Sequence, residues 1–181
     1  MRPIFLIGLP GCGKSTLGRA LADKGYAFAD VDEAVELRCG RTVAEVINNH
    51  GIDTFRSMET EELRRLAASG TRIIACGGGT PCHSGNMEYM NSTGATVLLQ
   101  CHRDRLIRRL GEAGGTRPMF AMMEHDHDAI NRKIDEISAI RAPFYSQASA
   151  TFDSSLLENR DEIEETTNKF SELIRTLSAD R

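Results

Sequence analysis

Residues 8–16 of the chain read Gly-Leu-Pro-Gly-Cys-Gly-Lys-Ser-Thr, which fits the pattern G-x-x-x-x-G-K-[ST]. No other stretch restricts the fold as strongly, because the pattern works only where a strand ends in a loop and a helix begins at once. The apolar run Pro3 to Ile7 supplies the strand, and a helix is expected from Thr16 to Lys24 with Gly25 closing it. The glycines let the backbone curl so that successive N–H groups face a nucleotide phosphate, and the helix adds its positive dipole end. Gly11, Cys12, Gly13, Lys14, Ser15 and Thr16 are therefore the candidate nucleotide-binding loop. Lys14 is placed to reach the β- and γ-phosphates of ATP, and Ser15 to ligate Mg²⁺. Cys12 lies among those amides, so a thiolate there, protected from alkylation by nucleotide, is a further expectation.

The chain has 181 residues, 40% hydrophobic and 27% charged, enough for one domain over 1–181 with its own core. Its net charge is −4 and its 22 Lys and Arg are scattered, which argues against a nucleic-acid partner. Met1-Arg2 lead straight into the first strand, leaving no room for a signal peptide, and no apolar run approaches membrane-spanning length. A cytoplasmic protein with no membrane partner is the expectation. Five cysteines without C-x-x-C or finger spacing read as free thiols.

Strand and helix patterns alternate along the chain, the mark of a parallel sheet covered on both faces. A second strand, Tyr26 to Val31, ends in Asp30-Val31-Asp32. Ligands of open α/β sheets sit at the carboxyl ends of strands, so one acid there suits a metal and the other a proton, unless either caps the helix expected over Glu33 to Cys39. Thr42-Val43-Ala44-Glu45 is a capping box. In the helix after Gly51, Arg56 and Glu59 share a face, ordinarily as an exposed salt bridge. The helices of about 32–69 form a candidate substrate-holding part. The third strand, Arg72 to Ala75, runs into Cys76-Gly77-Gly78-Gly79, where three glycines suggest close approach of a ligand to the main chain. A basic helix from Arg103 to Leu110 precedes a glycine-rich stretch of about 111–125, which reads as a lid carrying Arg117 over the phosphates. A helix from Asp126 to Ala142, a strand from Ala150 to Phe152 and an amphipathic helix from Asn159 to Leu177 complete the pattern.

Together the loop at 8–16, Asp30 with Asp32, Phe55-Arg56-Ser57-Met58-Glu59, Gly77-Gly78-Gly79, Arg117-Pro118 and Arg141 with Tyr145 resemble the shikimate kinase family over nearly the whole chain. The resemblance implies a three-layer P-loop kinase fold with a five-stranded parallel sheet in the order 2-3-1-4-5. It implies transfer of the ATP γ-phosphate to the 3-hydroxyl of shikimate, in aromatic amino-acid biosynthesis, by a monomer. By residue, it implies that Asp32 binds the diol and acts as base and that Asp30 supports Mg²⁺ through water. Arg56 and Arg141 would hold the carboxylate, with Glu59 orienting Arg56 and with Gly77, Gly78 and Gly79 against the ring. Arg117 would meet the transferring phosphate and Arg109 the adenine. Two departures from the family stand out: Cys76 replaces the usual Thr, and the segment after Arg117 is longer, with a Met122–His127 run that reads as helix entry or metal site.

These residue types suit the reaction. In-line attack of a hydroxyl on the γ-phosphorus depends on positioning and charge neutralisation, and planar guanidinium forks fix a carboxylate in orientation as well as charge. The loop alone does not choose the acceptor. A kinase for gluconate or a nucleoside monophosphate, and a non-catalytic nucleotide-binding module, remain the alternatives.

Overall fold

The computed structural model describes residues 2–112, 119–120, 123 and 126–179. At its centre is β1 (Ile4–Ile7), four apolar residues that are all buried, so both faces of the strand need cover. Alternation along the strand divides them: Ile4 and Leu6 point into one layer, Phe5 and Ile7 into the other. Around it β2 (Phe28–Asp30), β3 (Ile73–Ala75), β4 (Ala95–Gln100) and β5 (Ala150–Asp153) complete a five-stranded sheet in the order β2-β3-β1-β4-β5. Every pairing is parallel, with Ile4 opposite Ile73 on one side and Ala95 on the other. This is the fold class the sequence implied.

On one face lie α1 (Lys14–Asp23) and α8 (Arg160–Ala179), which bury Leu17, Leu21, Phe170 and Ile174 against Ile4, Leu6 and Val97. Each such side chain contributes roughly 1.5–3 kcal/mol by leaving water. On the opposite face α2 (Val31–Cys39), α4 (Ile52–Ala68), α5 (Asn86–Thr93) and α7 (His127–Tyr145) bring Val31, Leu63, Met87, Met90 and Tyr145 onto Phe5, Ile7 and Ile74. A satellite core of Val35, Val46 and Phe55 joins α2 and α4 to α3 (Val43–His50). Another, built on Leu106, Leu110, Ile130, Ile134 and Ile137, joins α7 to α6 (Arg103–Glu112).

Among the boundaries that differ from the sequence expectation, three bear on the site. Helix α2 starts at Val31, two residues early, because Asp30 caps it by accepting from the N–H groups of Asp32 and Glu33. Helix α6 runs through Gly111 and Glu112, so the proposed lid loses its first two residues; a Cβ at Gly111 would already touch Ile130. Helix α7 continues past Ala142 to Tyr145 in spite of Pro143, and its last turn buries the Tyr145 ring in the core. Among the described residues no helix is long and apolar enough to cross a membrane.

Candidate active site

Strand order reverses across β1, and there the carboxyl ends of β1, β2 and β3 open into a cleft of about 800 Å³. The loop after β1 is shaped by glycine. Gly8 has φ 143°, and a Cβ there would lie 2.7 Å from the Leu99 carbonyl oxygen. Gly13, at φ 95°, occupies the N-cap of α1, whose first-turn N–H groups have no partner within the helix. Lys14 is buried, with Nζ donating to the carbonyls of Gly8 and Leu9, both at 3.0 Å. Gly11, Gly13, Lys14, Ser15 and Thr16 all line the cleft.

Cys12 corrects the sequence reading. The residue is 1% exposed and its side chain packs in the core beside Ile4, Leu6 and Leu17, so it lines neither the cleft nor the outer surface of the loop. The loop needs one apolar anchor to hold its curl against the sheet, and Cys12 provides it; the Cys12 carbonyl is tied by Ser154 Oγ at 2.7 Å. A thiol so enclosed offers no handle to an alkylating reagent.

Asp30 and Asp32 divide their work by position. Asp30 Oδ1 caps α2, and Oδ2 accepts from Ser15 Oγ at 2.6 Å, so the residue is both the helix cap and the partner of the loop serine. Asp32, two residues further, lines the cleft, and its Oδ1 is closed off from solvent with no hydrogen-bond partner among the described residues. Burial first, then the negative charges of Glu59 and Asp30, outweigh the cations of Lys14 and Arg56 and push its carboxyl up to about 7. That value suits a general base near neutral pH.

Arg56 and Glu59 are no surface pair. Their 2.6 Å bridge is enclosed, with the Glu59 side chain 0% exposed and its other oxygen accepting from Thr80 Oγ1 at 2.6 Å. This fixes the Arg56 guanidinium at the cleft wall, with Nε buried and without a partner among the described residues. Arg141, from α7, is also buried, and its Nη1 has no partner among the described residues. The glycine turn sits between them. A Cβ on Gly78 would come 2.6 Å from Arg141 Nη1, and one on Gly79 2.5 Å from Arg56 Nη2. At Gly77 it would collide with Glu59 Oε1 and lie 2.8 Å from Asp32 Oδ1. The glycines therefore make room for the protein's own charged groups, a cause that the sequence did not suggest.

Arg109 ties the far wall together. It donates to Ser155 O at 2.6 Å and to Gly11 O at 3.3 Å, lies 3.6 Å from Glu158, and lines the cleft. Arg117 lies outside the described residues, as do Met122, Glu124 and His125 of the Met122–His127 run. Of that run's described members, Asp126 caps α7 through the Ala129 N–H at 2.9 Å, which is the helix-entry reading. Among the described residues no group of three His, Cys, Asp or Glu is arranged to hold a metal. Phe120 is buried against α6 and α7, while Met119 lines the cleft with its sulfur 3.8 Å from Arg141 Nη2.

Sequence reasoning missed several supporting residues. Buried Glu62 accepts from Arg65 Nε at 2.7 Å and from Arg38 Nη1 at 3.1 Å, binding α2 to α4; only the Glu62–Arg65 spacing could have hinted at it. Thr80 had no sequence signal. Nor did the hydrogen bond from the Tyr145 hydroxyl to Gly78 O, 2.7 Å across 67 residues. Cys76, in place of the family's Thr, is 2% exposed with its sulfur 3.7 Å from Met90 Sδ, and burial raises its thiol pKa far above the ordinary value.

The chain is similar to known proteins over most of its length. The profile of the shikimate kinase family matches residues 10–175. A shikimate kinase from Bacteroides thetaiotaomicron is 41% identical over 174 residues, covering 94% of this chain and 97% of that protein. A crystal structure of shikimate kinase from that organism superposes with a TM-score of 0.88 at 39% identity, covering 96% of this chain and 98% of the other. Shikimate kinase from Acinetobacter baumannii in complex with shikimate gives a TM-score of 0.82 at 27% identity, over 97% and 94% of the two chains. The P-loop, the paired acids and the two enclosed arginines thus sit in a chain that belongs to the shikimate kinase family.

Proposed function

We propose that the chain, acting as one P-loop kinase domain over residues 1–181, transfers the γ-phosphate of ATP to the 3-hydroxyl of shikimate, giving shikimate 3-phosphate and ADP. One observation carries the site assignment: Asp32, Arg56 and Arg141 line one cleft beside the P-loop, and each holds a buried polar atom (Oδ1, Nε and Nη1) without a hydrogen-bond partner among the described residues. A buried carboxylate and two buried guanidinium groups without full partners are costly unless a ligand completes them. A ring that carries hydroxyls at one end and a carboxylate at the other completes all three.

In this reading Arg56 and Arg141 grip the carboxylate, helices α2 to α4 hold the ring, and Asp32 faces the reacting hydroxyl. Asp32 accepts the hydroxyl proton as the oxygen attacks the γ-phosphorus. Lys14, freed from the loop carbonyls, and Arg117 neutralise charge on the transferring group. Ser15 Oγ and Asp30 Oδ2, hard oxygen donors 2.6 Å apart, fit a Mg²⁺ ion held jointly with phosphate oxygens. When bound, that ion would neutralise further negative charge on the phosphates. Arg109 and the residues after Asp153 take the adenine end.

The test is an acceptor panel. ADP release with shikimate, and none with gluconate or any nucleoside monophosphate, is the expected result. Turnover with gluconate in place of shikimate would move the assignment to another small-molecule kinase, and no turnover with any acceptor would leave a nucleotide-binding module.

A further inference from the structure

Tyr145 lies one turn beyond Arg141 on α7. Its ring is packed in the same core cluster as Val31, Leu63 and Met87, and only its hydroxyl emerges at the glycine turn, donating to Gly78 O at 2.7 Å. None of the roles assigned above uses this bond. A trans peptide unit carries its C=O and N–H on opposite sides, and no cis peptide occurs among the described residues. The bond to Gly78 O therefore also fixes the direction of the Gly79 N–H, on the side of the peptide away from the phenol.

That peptide needs an external tether. It joins two glycines, the residues with the widest backbone freedom, so nothing local prevents it from flipping and exchanging an N–H for a carbonyl oxygen. The Gly79 N–H donates to no protein acceptor among the described residues. It belongs to a turn that lines the cleft between the two arginines, where a Cβ on Gly79 would meet Arg56 and one on Gly78 would meet Arg141. A donor there assists an anion, and a flipped carbonyl would repel it.

We propose that Tyr145 is a positioning residue: by holding the Gly78 carbonyl it locks the Gly78–Gly79 peptide so that the Gly79 N–H serves as the third donor, with Arg56 and Arg141, to the acceptor's carboxylate. The proposal rests on the carboxylate-clamp reading given above. It makes α7 responsible for two of the three donors, one directly through Arg141 and one through the main chain.

Tyr145→Phe tests it, since the ring and its packing remain and only the oxygen is removed. Losing one donor to a carboxylate, a charge-assisted hydrogen bond, predicts a KM for shikimate raised roughly ten- to a hundredfold. KM for ATP, kcat and the unfolding temperature should stay near those of the parent. Shikimate methyl ester, which keeps the ring without the negative charge, should show a KM change below about twofold, because the lost donor served the charge. Equal rises for acid and ester, a parallel rise for ATP, or an unchanged KM for shikimate would each overturn the proposal. Arg56→Ala and Arg141→Ala run beside it. If these weaken shikimate binding while Tyr145→Phe does not, the clamp stands and the tether falls; if they do not, both fall.

Discussion

Replacing Asp32 by Asn should inactivate the protein and stabilise it, with a pH dependence set by the carboxyl. Asp32 is pushed from 3.8 up to about 7, so the folded state holds its proton more tightly than the unfolded state does. For a raised carboxyl the sign is that stability falls as pH rises from the unfolded value to the folded one, and the full cost is present above both. Linkage over this interval gives an upper bound on the order of 4 kcal/mol at pH 8.5 and about 1.5 kcal/mol at pH 5, vanishing below about pH 4. Asparagine keeps the shape and removes the charge, so the variant's advantage over the parent should grow by up to about 2.5 kcal/mol between pH 5 and pH 8.5. For a domain of this size that is roughly 5–10 °C in unfolding temperature. Thermal unfolding of both proteins across this range, with kcat measured alongside, is the assay, and the loss of a general base should lower kcat by roughly 10²–10⁴. A stability difference that is constant with pH, or larger at pH 5, would refute the claim that the Asp32 carboxylate is held at a cost for catalysis.

The same group should set the acid limb of the rate profile: kcat/KM is expected to fall below about pH 7, and Glu59→Gln, which removes a negative neighbour, should move the limb to lower pH. Lys14→Ala should lower kcat by at least about 10²–10³ while leaving the fold intact, checked by turnover and circular dichroism; full turnover would remove Lys14 from the phosphate site. Arg56→Ala and Arg141→Ala should each weaken shikimate binding by roughly ten- to a hundredfold with ATP affinity unchanged, and the double variant should lose less than the sum, measured by calorimetry. Cys12 should react with iodoacetamide only on unfolding, so that nucleotide slows labelling only by as much as it stabilises the fold; fast labelling of the folded protein would mean that its side chain leaves the core.

The parts of the site that were legible in the sequence are those set by local chemistry. A loop of the 8–16 type dictates strand, turn and helix over a few residues, and two acids at the end of a strand are placed by topology alone. Arg56 with Glu59 could be read as a pair, yet its enclosure could not, because burial depends on Thr80 and the glycine turn arriving from elsewhere in the chain. Cys12 was misread for a related reason: the motif gives the backbone path of the loop, while the side chain's direction follows from the core it meets. The glycines at 77–79 were detected as a close approach, but sequence carries no information on which atoms approach. Long-range partners such as Arg38 with Glu62 have no local period at all.

Asp30 has an implication for inhibitor design. One oxygen of its carboxylate closes the first turn of α2, and the other holds the P-loop serine. A compound anchored on this carboxylate would face a target with few routes of escape. Asparagine retains an acceptor for the cap but gives up the charge that suits a cation. Alanine loses the cap as well, at about 1 kcal/mol, and with it the start of the helix that positions Asp32. Resistance by substitution at residue 30 would therefore damage the enzyme's own turnover before it relieved the drug.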